Sequence, residues 1–169
     1  MSPLAFNTAR LRVGPWRDLA EAALDRPLNA IVAETLTARV TAALPPGWQG
    51  AYDGVRADRW ISEREGECTC LLGVDRECAQ PVALVLLFPE STRSLRLGYL
   101  LHERSWGQGY ATELIRGLIA ACHDAGIDRV SGGVAPENAA SARVLEKAGF
   151  VEQPMSAADA ERLFVWTAP

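Results

Sequence analysis

Apolar residues recur along this chain with two different periods, and the switches between them mark out its elements. Near the start, Ala9-Arg-Leu-Arg-Val13 alternates and predicts a strand, which Gly14-Pro15 ends. Trp16–Leu24 and Asn29–Leu44 read as helical pieces, broken at Pro27 and closed by Pro45-Pro46-Gly47. Residues 45–56 are rich in turn formers, with Trp48 and Tyr52 among them, and Arg59–Arg64 fits a short helix. Three strands follow. Glu67–Val74 is the first. Pro81–Phe88 is short and nearly all apolar, the pattern of a central strand covered on both faces. After the turn Pro89–Thr92, Ser94–Leu101 alternates again. Leu95, Leu97, Tyr99 and Leu101 share one face, and Arg96, Gly98 and Leu100 share the other.

The period then lengthens. Ala111, Leu114, Ile115, Leu118, Ile119 and Cys122 form the stripe of an amphipathic helix that Gly126 is placed to end. Arg129–Val134 is a short strand. Asn138–Ala148 is a second helix, with Ala140, Val144, Leu145 and Ala148 inward and Gly149 behind it. Phe150 begins a strand, and Arg162–Thr167 is the last. The order β, α, α, β, β, β, α, β, α, β, β predicts an α/β (α+β) fold, a mixed central sheet with helices on both faces.

The length of 169 residues suits one domain over residues 1–169, large enough to bury a core without staples. An apolar fraction of 49% and a charged fraction of 22% exclude a disordered chain. The net charge of −4 and the lack of a basic stripe argue against a nucleic-acid partner. No apolar run reaches the ~20 residues of a membrane span, and Met1–Arg12 lacks the order of a signal peptide, so a cytoplasmic protein is expected. Cys68, Cys70, Cys78 and Cys122 form no C-x-x-C, and the only histidines are His102 and His123. That spacing predicts reduced, packed thiols and no metal.

Chemistry concentrates at Leu100-Leu-His-Glu-Arg-Ser-Trp-Gly-Gln-Gly-Tyr-Ala111, where a strand enters and a helix leaves with Gly107 and Gly109 between. Glycines there let backbone N–H groups approach a ligand, and the unpaired donors of the helix's first turn favour an anion such as a pyrophosphate. A glycine-built loop with no ligand fits the same residues. Further on, Asn138 and Ser141 stand three apart and share a helix face. Each also has a bland use, Asn138 as a helix cap and Ser141 as a solvated serine.

Together these stretches resemble the GCN5-related N-acetyltransferase (GNAT) superfamily, and within it the branch of ribosomal-protein N-terminal acetyltransferases of RimJ/RimL type. The resemblance rests on Leu97-Gly-Tyr-Leu-Leu101, Trp106-Gly-Gln-Gly-Tyr-Ala-Thr-Glu113 and Asn138-Ala-Ala-Ser-Ala-Arg-Val-Leu-Glu-Lys-Ala-Gly-Phe150. It covers residues 95–150, touches Arg10–Val13 weakly, and does not extend to residues 20–80.

The resemblance implies acetyl-CoA lying in a V opened between two neighbouring parallel strands. Leu100 and Leu101 would pair with the pantetheine arm. Main-chain N–H groups of Trp106, Gly107, Gln108, Gly109, Tyr110 and Ala111 would hold the pyrophosphate, with Arg104 adding charge and Asn138 contacting the cofactor. Many relatives protonate the departing thiolate with a tyrosine where this chain has Leu145. Ser141, the nearest hydroxyl on the matching face, is the candidate catalytic substitute. The carboxylate common in this branch is replaced by Arg96, which leaves Glu63, Glu65, Glu67, Glu90, Glu103 and His102 as candidate bases. The function implied is acetyl transfer to an amine, either a protein α-amino group or a small amino compound, with a homodimer open. The alternative is a non-catalytic acyl-CoA-binding or regulatory module.

Overall fold

The computed structural model describes residues 4–155 and 160–169. Eight strands form one sheet: β1 (Phe6–Asn7), β2 (Leu11–Pro15), β3 (Thr69–Asp75), β4 (Pro81–Pro89), β5 (Ser94–Leu101), β6 (Arg129–Val134), β7 (Val151–Glu152) and β8 (Arg162–Thr167). They lie in the order β1-β2-β3-β4-β5-β6-β8-β7. Every neighbouring pair is antiparallel except β5 and β6. Among the described residues five helices flank them: α1 (Trp16–Ala22), α2 (Leu28–Thr35), α3 (Gly54–Glu67), α4 (Tyr110–Asp124) and α5 (Ala139–Lys147).

The period-two alternation of β4 explains the two cores. Ala83, Val85 and Leu87 pack with Leu114, Ile115, Leu118 and Leu145 of α4 and α5. Leu84 and Leu86 pack on the opposite face with Ile31, Val32, Trp60 and Ile61 of α2 and α3. The expected mixed sheet, buried central strand and helices on both faces are therefore present.

Three boundaries differ from the sequence reading. The helix expected over Asn29–Leu44 ends at Thr35, because Leu36 leaves helical geometry with ψ 63°. The Thr41 hydroxyl then ties the turns that follow, donating to Thr37 O at 2.9 Å and accepting the Gly50 N–H at 2.9 Å. The short helix expected at Arg59–Arg64 is the middle of α3. Asp53 caps that helix by accepting the Arg56 N–H at 2.8 Å, and Glu67 belongs to it rather than to β3. The strand expected from Phe150 is two residues long.

The N-terminal segment is pinned across α4. A Cβ added at Gly117 would come within 2.6 Å of Thr8 Cγ2 and 2.8 Å of Phe6 Cε2. Thr8 cannot swing away freely, since its hydroxyl donates to Glu113 Oε1 at 2.6 Å. Gly117→Val is expected to lower stability by about 1–3 kcal/mol through overpacking. Urea unfolding of both proteins measures this, and an unchanged midpoint would contradict the close approach.

Candidate functional site

The parallel pairing of β5 and β6 runs from Ser94–Arg129 to Leu97–Gly132 and then stops. Both strands continue, so they part beyond that point. A cleft of about 1010 Å³ opens there. Its walls include Leu97 and Leu145 of one core and Leu86 and Leu100 of the other, so it passes through the sheet from face to face.

The His102 N–H donates to Val82 O at 2.9 Å, and Leu100 is in register with Leu84. Period-two alternation therefore turns the Leu100 peptide groups toward β4, and those of Tyr99 and Leu101 toward the cleft. Of the two residues expected to offer backbone partners, Leu101 faces the right way and Leu100 does not. The Leu101 carbonyl already accepts the Trp106 indole N–H at 3.1 Å, which latches the glycine turn to the end of β5.

The turn itself presents donors. Gly107 and Gly109 have φ of +72° and +82°, a left-handed geometry that costs an L side chain about 1–2 kcal/mol. Gly109 caps α4, and no side chain caps it in turn. The Glu113 N–H is the first to bond back, to Gly109 O at 3.1 Å, so the N–H groups of Tyr110, Ala111 and Thr112 have no acceptor within the helix. Trp106, Gly107, Gly109, Ala111 and Thr112 all line the cleft. The Trp106 N–H is not available, because it donates to Glu103 O at 3.1 Å.

Arg104, an expected ligand, points elsewhere, and so do the side chain and main-chain carbonyl of Gln108, whose main-chain N–H is the group expected to bind. Arg104 is outside the cleft lining, with Nη1 on Glu34 Oε1 at 3.0 Å and Nη2 on Pro81 O at 3.3 Å. The Gln108 side chain bonds Arg104 O, and its own carbonyl accepts Arg10 Nη1 at 3.0 Å.

Arg10 organises the outer side of the turn. Its Nε donates to Glu113 Oε2 and its N–H to Glu113 Oε1, both at 2.7 Å. Its guanidinium also stacks 4.1 Å from the Tyr110 ring centre. The Tyr110 hydroxyl donates to Asp75 and, with the Cys78 N–H, holds that carboxyl well below the usual range. Burial works to raise the Glu113 pKa, but the hydrogen bonds from Thr8 and Arg10 outweigh it and leave it lowered. With Arg10 drawing the Gln108 carbonyl outward, the free amides of the turn are left to the cleft.

Across the cleft, Asn138 caps α5 by accepting the Ser141 N–H at 3.1 Å. Asn138 still lines the cleft, as does Ser141. Ser141 Oγ lies 2.7 Å from the Tyr99 hydroxyl. Burial raises the Tyr99 pKa, so this phenol stays protonated at neutral pH. Leu145, where relatives carry a tyrosine, is core. Sequence reasoning missed the Tyr99 hydroxyl because its partner is 42 residues away; the inward face it shares with Leu97 was the only signal.

None of the six candidate bases lines the cleft. His102 faces Glu34, Glu103 holds Thr37 and Arg39, Glu65 holds Trp16 and Arg17, Glu63 and Glu67 flank Arg64, and Glu90 binds Ser94 and Ser131. The carboxylates on its wall are Glu137 and Glu161. Glu161 pairs with Arg96 at 2.9 Å. An added Cβ at Gly132 would meet Leu145 of α5, and one at Gly133 would meet Glu161 and Arg96. Glu161 is thus on the face away from α4 and α5. Of the thiols, Cys70 and Cys122 are buried, Cys68 is half-buried with its sulfur 3.6 Å from that of Cys70, and Cys78 is exposed, contrary to the packing expected of it.

The family described as acetyltransferase (GNAT) domain matches residues 11–151. The probable N-acetyltransferase YjcK of Bacillus subtilis is 33% identical over 86 residues, covering 50% of this chain. The chain spans about half the length of that relative, 48%. A solved RimL, a ribosomal L7/L12 alpha-N-protein acetyltransferase in complex with coenzyme A, shares the fold at a TM-score of 0.75 and 14% identity over 98% of each chain. RimJ of Mycobacterium smegmatis, in complex with CoA-disulfide, does so at 0.70 and 19%, over 99% of this chain and 90% of that one.

Glu113 has a lowered pKa, so the stability its ion pair adds is fully present above about pH 4.3, the ordinary glutamate value, and is lost as pH falls through the folded value. Arg10→Gln is therefore expected to cost about 1 kcal/mol at pH 7. The gap from wild type should narrow in acid, leaving what the Gln108 and Tyr110 contacts contribute. Urea melts at a series of pH values test this, and a gap independent of pH would contradict it.

Proposed function

The chain belongs to the acetyltransferase (GNAT) domain family, and from that premise we propose that it transfers an acetyl group from acetyl-CoA to a primary amine. The single observation that carries the reading is the junction of an opened β5–β6 pair with an uncapped helix start behind Gly107 and Gly109. Backbone donors converging on one cleft fit a pyrophosphate followed by an amide-bearing arm. Main-chain groups of Gly107–Thr112 hold the phosphates, and those of Tyr99 and Leu101 pair with the arm.

Acetyl-CoA supplies an already activated thioester. In the transfer, the amine nitrogen bonds to the acyl carbon as the C–S bond breaks; nitrogen loses its proton to the base, and sulfur leaves as a thiolate that takes its proton from solvent. The phosphates are anchored at α4, so the acceptor approaches from the opposite face, where Glu161 receives the amine proton directly or through water. Ser141 gives a hydrogen bond to the charge developing on sulfur. A serine hydroxyl is a weak acid, so this contribution is electrostatic rather than full protonation. Tyr99 is a positioning residue: either hydroxyl of the pair can donate, and when the phenol donates to Ser141 Oγ the serine proton is free to point into the cleft.

Thiol release from acetyl-CoA across a panel of amines tests the reading. CoA binding without turnover of any amine would favour a non-catalytic acyl-CoA module instead. Ser141→Ala is expected to lower kcat at least about tenfold, ~1.4 kcal/mol, with little change in KM for acetyl-CoA. Tyr99→Phe should move kcat in the same direction by less. A raised KM with kcat intact would reduce Ser141 to a binding contact.

A further inference from the structure

The side of the cleft facing away from α4 and α5 differs from the side that holds the turn. Its wall is made by the segment after α2 and by the even-numbered face of β4. Val40, Leu44, Trp48, Leu86 and Phe88 line it. Trp48 is fixed there, edge-on to Trp60 with ring centres 5.6 Å apart and with the Arg64 guanidinium 4.4 Å from its own centre. An aromatic ring held on two sides presents a rigid surface, and ordering it further costs a ligand little.

Charge along the cleft has the opposite sense from charge over the chain. The protein carries −4 overall. Among the described residues, the charged side chains that line the cleft are Arg39, Arg143 and Lys147 against Glu137 and Glu161, a surplus of one positive charge, with Arg143 and Lys147 on α5 and Arg39 itself paired with Glu103. Glu161 is further offset by Arg96. A polycation would need several unpaired carboxylates to replace its water, and among the described residues this wall offers only Glu161, which Arg96 already holds.

We infer that the acceptor is a monoamine whose amine-bearing carbon carries an apolar or aromatic group, such as an arylalkylamine or a peptide with an apolar first residue, and not a polyamine or an aminoglycoside. This rests on the acetyl-transfer reading above. The amine nitrogen reaches the split in the sheet beside Glu161, and the apolar group lies on Val40, Leu44 and Trp48. A hydrophobic wall of this kind distinguishes acceptors by the apolar surface they bury, about tenfold or more for each well-placed group.

The test uses the full chain loaded with CoA for binding and with acetyl-CoA for turnover. 2-Phenylethylamine, a tripeptide beginning with leucine, spermidine and kanamycin are compared by calorimetry and by thiol release. The two apolar amines should bind roughly tenfold more tightly or better, and lead in kcat/KM by a similar factor. Val40→Asp should remove most of that preference while leaving CoA affinity unchanged. Equal or tighter binding of spermidine or kanamycin, or no binding of either apolar amine, would overturn the inference. Apolar amines that bind while no amine is acetylated would instead defeat the transfer reading and leave the pocket assignment standing.

Discussion

The first N–H groups of a helix have no partner inside it and must find water, a cap or a ligand, and this fold gathers a row of them at the mouth of one cleft. β5 and β6 stop pairing after Leu97 and Gly132, and α4 starts beyond the glycine turn, at Tyr110, with three uncapped N–H groups. Elsewhere the chain satisfies such groups with care. Asp53 and Asn138 cap their helices, and the Trp106 indole takes the Leu101 carbonyl. α1 and α2 also start without a side-chain cap, but only the donors at the start of α4 border the same cleft as the parted strands. Water or an anionic ligand must complete them.

The supporting structure follows from keeping that turn in one conformation. Two glycines with positive φ would make it loose on their own. The restraint comes from the other end of the sequence. β2 places Arg10 beside Glu113 and the Gln108 carbonyl, and Thr8 shares Glu113 with it. Gly117 lets this N-terminal segment lie close against α4. Stability and ligand geometry are thus coupled through Arg10, while Trp106 fastens the turn to β5 from within.

The strands, α4 and α5 were legible because their buried stripes are long and regular, and Gly107 and Gly109 stand where a strand period changes to a helix period. The sequence pattern shows only the middle of α3, because Gly54–Asp58 adjoins a run of turn formers and Glu65-Gly66-Glu67 carries no apolar residue. α2 was lengthened because Val40 and Leu44 prolong the apolar pattern, yet their side chains line the cleft from turns. At the site, local spacing exposed the turn and the helix opening at Asn138. It could not show that Arg104 is bound to Glu34, that Tyr99 meets Ser141, or that Glu161 comes up beside Gly133. Those pairings join residues 28 to 70 positions apart and exist only once the sheet has formed.

Amide hydrogen exchange with and without CoA tests the central claim most directly, because it reads the backbone donors themselves. Saturating CoA should slow exchange at Gly107–Thr112 and at Tyr99 and Leu101, with little change in α1–α3. Gly109→Val, which adds a side chain where φ is +82°, should abolish that protection in a folded protein. Unaltered exchange across the turn in wild type, or equal protection in the variant, would contradict the account.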